Sequence, residues 1–246
     1  MPELKASRDV LRAVLFDLDG VVADSHPVHE VAWKALFAEQ GLDAENLDLD
    51  YLYAGHPRRE IMTHYLGALD TERFEHLSKR KDHFYAQAAA RLAAKPGVPG
   101  AILQLRAAGI ACALATSAAR DRTFDTLERL HLQDAFAAVV VGSDVEIAKP
   151  APDIFLLAAS QLNVAPESCV VVEDSVVGVQ AALRAGMTCA GFALPERAEE
   201  LWQAGAKDVF TAVPADAVSY FRKLQKNMAA GEAVAERQPV LTNHRK

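Results

Sequence analysis

Ala13-Val14-Leu15-Phe16-Asp17-Leu18-Asp19-Gly20-Val21-Val22-Ala23-Asp24-Ser25 decides how the rest of this chain is read. An apolar run ends in two carboxylates two residues apart, and a glycine follows. Side chains alternate across an extended strand, so residues i and i+2 share a face. Asp17 and Asp19 therefore start on a common side at the mouth of a buried strand. Two anions held together repel each other unless a cation or a proton lies between them. Such a pair suits the binding of a hard metal, or acid/base and nucleophilic work. Taken by itself the segment also allows a plain strand-to-loop turn, where Asp and Gly are common.

Outward from this strand, apolar runs recur at Ile110–Ala115, Ala138–Val141, Cys169–Val172 and Thr188–Phe192. From residue 98 onward they alternate with helical patterns: Val98–Ala108 stopped by Gly109, Arg120–Leu130, Asp153–Leu162, and Ser175–Ala185 stopped by Gly186. Strands alternating with helices predict an α/β fold, a Rossmann-like parallel sheet covered on both faces. Residues 25–95 differ. They contain no convincing strand, and they read as helices over His29–Gln40 and Asp70–Leu92, with Asp70 as a cap. Lys95-Pro96-Gly97-Val98-Pro99-Gly100 then reads as a hinge or linker. The predicted organisation is a catalytic core of residues 1–24 and 96–226, an inserted α-helical cap of residues 25–95, and a frayed tail of residues 227–246.

Composition narrows the partners. The chain has 246 residues, 51% of them hydrophobic, which is enough for a substantial core. Its net charge is −7 and it has no basic block, so nucleic acid is not expected as a partner. No run approaches the roughly 18 apolar residues of a membrane span, and the N-terminus lacks an apolar signal-type stretch. Cys112, Cys169 and Cys189 are odd in number and lie in apolar runs, which reads as buried free thiols in a reducing cytosol. The expectation is a cytoplasmic protein, monomeric, with no membrane association.

In an open parallel sheet, ligands bind beyond the carboxyl ends of the strands. Asp17 and Asp19 follow one such end, Thr116-Ser117-Ala118 a second, and Glu173-Asp174-Ser175 a third. Lys149 stands just ahead of a predicted helix, in Ala148-Lys149-Pro150-Ala151-Pro152-Asp153. Singly, each has an ordinary reading as a helix cap or a solvated loop residue. Together they assemble several carboxylates, a hydroxyl and an ammonium at one edge of one sheet.

These segments (DLDGV, LATS, AKPAPDIF and VVEDS) resemble the four motifs of haloacid-dehalogenase-type phosphotransferases. The likeness covers nearly all of the chain except the tail, and the helical insert is similar to the cap of the β-phosphoglucomutase-like and sugar-phosphate phosphatase branch. The resemblance implies that Asp17 is a nucleophile forming an aspartyl-phosphate and Asp19 the general acid/base. It also implies Mg2+ held by the Asp17 side chain, the Asp19 carbonyl and Asp174, with Glu173 ligating or orienting a water. Thr116 and Lys149 would hold phosphoryl oxygens, helped by backbone N–H groups of Leu18, Asp19 and Ser117. Haloalkanoate dehalogenases of the same superfamily lack the second aspartate, so the presence of Asp19 points to phosphoryl transfer.

Within the branch, His29, Arg58 and Lys81 are similar to cap residues of β-phosphoglucomutase, where the histidine helps position the acid/base and the other two bind sugar phosphate. A mutase needs a second phosphate site, and Arg58 would offer a two-pronged grip. The residues after Thr116 depart from the mutase: Ala118 offers no side-chain donor, and Arg120 would have a different reach. The reading is a Mg2+-dependent phosphatase acting on a small phosphorylated metabolite, a sugar or polyol phosphate. Interconversion of β-glucose 1-phosphate and glucose 6-phosphate is the alternative.

Overall fold

A computed structural model describes residues 10–48, 51–52 and 56–229. Among these, the chain divides into two compact units, Asp24–Ala93 and the segments flanking it. The insert thus begins and ends within two residues of the bounds read from sequence.

The flanking unit is built on a six-stranded parallel sheet in the order β3-β2-β1-β4-β5-β6. The strands are β1 (Ala13–Phe16), β2 (Ala111–Thr116), β3 (Ala138–Val141), β4 (Cys169–Glu173), β5 (Thr188–Phe192) and β6 (Asp208–Phe210). All four residues of β1 are buried, and so are all five of β4, which is why these strands are apolar throughout rather than alternating. Phe16 pairs with Leu114 on one side and with Val172 on the other. Strand order reverses on the two sides of β1, so the crevice of this topology opens where β1 and β4 end.

The helices of this unit follow the strands: α4 (Val98–Ala107), α5 (Arg120–Arg129), α6 (Asp153–Gln161), α7 (Val176–Arg184), α8 (Pro195–Ala204) and α9 (Ala217–Ala229). Ala and Val on α6 and α7 pack with Leu15, Ala113 and Val171 into one buried cluster. Strand β6 and helices α8 and α9 go beyond the elements read from sequence. Helix α9 also corrects the tail, because the chain is still helical from Asn227 to Ala229. The remainder of the expected tail, residues 230–246, lies outside the described residues. Cys112, Cys169 and Cys189 are buried free thiols. No described helix is long and apolar enough to cross a membrane.

The insert is helical, with α1 (His26–Glu39), α2 (Arg58–Leu66) and α3 (Thr71–Ala88). Helix α1 starts three residues ahead of the expected His29, since a proline is tolerated in a first helical turn. Asp70 caps α3, accepting from the Arg73 N–H at 2.8 Å. Trp33, Leu36, Phe37, Ile61, Met62 and Leu77 give the insert a core of its own.

Candidate active site

The site residues of the flanking unit stand where the strands stop. The ladder between β1 and β4 runs one residue past β1, the Asp17 N–H donating to the Val172 carbonyl at 3.0 Å. Asp17 is therefore fixed by backbone before its side chain does anything, and it is buried. The chain then turns sharply. Val22 and Ala23 both donate to the Leu18 carbonyl, at 3.0 and 2.8 Å, and Gly20 takes a φ of +75° that disfavours any Cβ. That turn carries Asp19 up to the rim.

Lys149 ties three strands together. Its Nζ donates to Asp17 Oδ1 at 2.6 Å, to Glu173 Oε1 at 2.7 Å and to the Ala115 carbonyl at 3.2 Å. Its side chain is only 5% exposed. Burial works against this ammonium, but Asp17 and Glu173 more than offset it, and its pKa is raised above the ordinary lysine value. Asp17 is pushed upward, first by burial and then by Glu173, Asp174 and Asp19, with Lys149 pulling the other way. The pocket thus carries more negative charge than one lysine settles.

Glu173 is an anchor. Its second oxygen accepts from the Asp174 N–H, the Ser175 N–H and the Ser175 hydroxyl, at 2.9, 3.0 and 2.9 Å. Ser175 in turn caps α7 by accepting from the Gly178 N–H at 3.1 Å. Both Glu173 oxygens are thereby engaged by protein donors, which fixes the carboxylate at the junction of β4 and α7. Gly178 is required here, because a Cβ on it would overlap the Glu173 carboxylate.

Thr116 ends β2, buried, and its Oγ1 accepts from the Ala118 N–H at 3.1 Å. Ser117 is exposed beside it. The loop is stapled to the one after β3. Gly142 donates to the Ala118 carbonyl at 3.3 Å, and a Cβ on Gly142 would fall 2.8 Å from the Ser117 carbonyl oxygen. Arg120 turns to Asp144 at 2.5 Å, so in this structure it is paired away from Asp19. Arg122, which the motifs did not single out, grips Asp19 with both ends of its guanidinium, 2.9 Å to Oδ1 and 2.6 Å to Oδ2. Residues two apart on a helix point about 200° apart, so Arg120 and Arg122 diverge by geometry alone.

The donor set suits a hard cation. Asp17, Asp174 and the Asp19 carbonyl are all oxygen donors, and Oδ2 of Asp17 is not the oxygen bound to Lys149. No three His, Cys, Asp or Glu side chains among the described residues form a closed cage. A cation here would complete its shell with carbonyl and water oxygens, as Mg2+ does. The surplus negative charge around Asp17 is the feature such an ion would offset.

In the insert, the structure brings His29 and Lys81 together and sets Arg58 apart. Lys81 Nζ lies 2.6 Å from His29 Nδ1. A charged Lys81 has no lone pair, so in that form it donates and Nδ1 accepts. Lys81 is buried, 5.1 Å from the centroids of both Trp33 and Tyr85. It is buried, not on the solvated face that the run Lys79-Arg80-Lys81 suggests. Arg58 forks onto Asp82 at 2.9 and 2.6 Å.

Residues 11–186 match the family described as haloacid dehalogenase-like hydrolase. A phosphorylated carbohydrates phosphatase of Thermotoga maritima is 35% identical over 182 residues, covering 72% of this chain and 82% of that protein. A β-phosphoglucomutase of Bacillus subtilis is 34% identical, covering 74% and 83% respectively. A solved CbbY of Rhodobacter sphaeroides, in complex with xylulose-(1,5)bisphosphate, superposes with a TM-score of 0.70 at 26% identity, covering 82% of this chain and 95% of that one.

Proposed function

Because the chain belongs to the haloacid dehalogenase-like hydrolase family, we propose that it is a phosphatase of small phosphorylated carbohydrates or polyols working through Asp17. It is a hydrolase of phosphoric monoesters, as its phosphatase relatives are named. The observation that carries the reading is the Asp17–Lys149–Glu173 group at the β1/β4 end, a buried nucleophile held to a buried ammonium.

In the proposed sequence, an Asp17 oxygen attacks phosphorus and the ester P–O bond breaks. Asp19 gives a proton to the departing alkoxide, and the phosphoryl group remains on Asp17 as an acyl phosphate. Asp19 then takes a proton from water as that water attacks phosphorus. Asp17 leaves as a carboxylate and orthophosphate is released. Lys149 offsets the repulsion between the anionic nucleophile and an anionic substrate. The Thr116 hydroxyl and the Ser117 N–H face phosphoryl oxygens at the end of β2. Mg2+, held by Asp17, Asp174 and the Asp19 carbonyl, would supply charge neutralisation.

The second reading, a β-phosphoglucomutase, draws on the Bacillus subtilis relative. Two features weigh against it: Ala118 has no side-chain donor, and Arg120 is engaged by Asp144. The direct test is phosphate release from an aryl phosphate and from sugar phosphates with Mg2+ and with excess chelator. Chelator-sensitive release is expected. An absence of release from every phosphomonoester would exclude the function.

A further inference from the structure

Asp19 has to present one oxygen to a leaving group and later to a water, and a side chain from a distant helix reaches both of its carboxylate oxygens. It follows β1 rather than belonging to it, and its carboxylate hangs on two torsions above the Leu18–Ala23 turn. A side chain so placed samples several rotamers unless a neighbour selects one. Arg122 is that neighbour. It binds both carboxylate oxygens in a planar fork from 103 residues away in sequence. The two side chains are only 17% and 27% exposed.

Arg122 stands on a rigid base. It lies in the first turn of α5, behind a loop held by Gly142, the Thr116 hydroxyl and the Arg120–Asp144 pair. A guanidinium on such a base sets the plane of the carboxylate as well as its charge, which an ammonium does not. Each carboxylate oxygen accepts two hydrogen bonds, so pairing with Arg122 does not by itself exhaust Asp19 as a proton acceptor.

We infer that Arg122 is the positioning residue for the acid/base aspartate: its fork orients the Asp19 carboxylate for both proton transfers. This rests on the phosphatase reading above. Proximity effects are steep, and a misplacement of about 1 Å costs on the order of a hundredfold.

The test is a double-mutant cycle of Arg122→Gln and Asp19→Asn, with Arg122→Lys alongside, assayed for kcat, KM and thermal midpoint on an aryl phosphate. R122Q is expected to lower kcat by about tenfold or more, with KM held within about threefold. R122K, which keeps charge and aliphatic stem but not the fork, is expected to stay within a few-fold of R122Q. In the D19N background, R122Q is expected to change kcat by less than about twofold. A phosphate-binding role would raise KM at constant kcat and overturn the inference. So would independent, multiplicative losses in the double variant, or an unaltered kcat. If R122Q does not fold, R122K carries the same comparison in both backgrounds. A wild-type protein that releases no phosphate would refute the phosphatase reading instead.

Discussion

Lys149 is the residue on which the site's electrostatics turn. Its ammonium is shared between Asp17 and Glu173, and both acids are buried with it. Removing one partner of a buried ionic group leaves charge without compensation and costs about 3–5 kcal/mol. Lys149→Ala is therefore expected to lower the free energy of unfolding by about that amount in urea titrations, and to cut turnover as well. A variant as stable as wild type would show that the ammonium does not hold the two carboxylates. At this scale the sequence was legible where a residue's place follows from a strand end: Asp17, Thr116, Glu173 and Asp174. It was not legible where a contact depends on helix phase. Arg120 and Arg122 are equally plausible in sequence, and only the start of α5 decides which one faces Asp19. Burial of Lys81 was equally hidden, since a KRK run reads as solvated surface until Trp33 and Tyr85 are seen beside it.

Among the elements, the junction of β4 and α7 does the most. Ser175 caps the helix and donates to Glu173, while Gly178 in the first turn lets that carboxylate lie against the helix backbone. Gly178→Ala is expected to push Glu173 off its donors, at a cost of about 1–3 kcal/mol for overpacking. Urea midpoints and kcat should fall together. An unchanged kcat would separate the packing at Gly178 from the seating of Lys149. The five longer strands could be read from sequence because burial on both faces makes them continuously apolar. Strand β6 escaped because it spans only three residues, Asp208–Phe210, with a charged first position. Helix α8 carried its own signals, a proline in the first turn and Gly205 at its C-cap with a φ of +106°. Half of its 10 residues are polar, and that obscured the pattern.

At the level of the whole molecule, the insert leaves and rejoins the sheet unit at neighbouring points. Ala23 bridges Ala94, and Lys95 donates to the Val22 carbonyl at 2.9 Å. Joining ends this close let a second unit with its own core be added without breaking the sheet. The sheet unit also buries all three thiols. Burial pushes Cys112 and Cys169 from an ordinary 9.0 up to about 12, and Cys189 well upward. Tyr220, buried beside Asp208, is raised too. Between pH 9.0 and about 12 the unfolded chain sheds thiol protons that the folded chain keeps. This contribution is complete below the unfolded value and is lost as pH rises toward the folded one, by at most about 1.4 kcal/mol per pH unit per group. Urea midpoints should therefore decline from pH 9 upward; a flat profile would mean that the thiols are accessible in the folded state. The most direct test of phosphoryl transfer to water through Asp17 is the fate of the phosphoryl group. Wild type and Asp17→Asn would be given β-glucose 1-phosphate and a panel of sugar and polyol phosphates, with Mg2+ and a trace of sugar bisphosphate, and both free phosphate and phosphate isomers followed. Free phosphate from at least one substrate, absent in a folded Asp17→Asn variant, is the expected result. Glucose 6-phosphate accumulating far faster than free phosphate, or substantial activity in the variant, would contradict it.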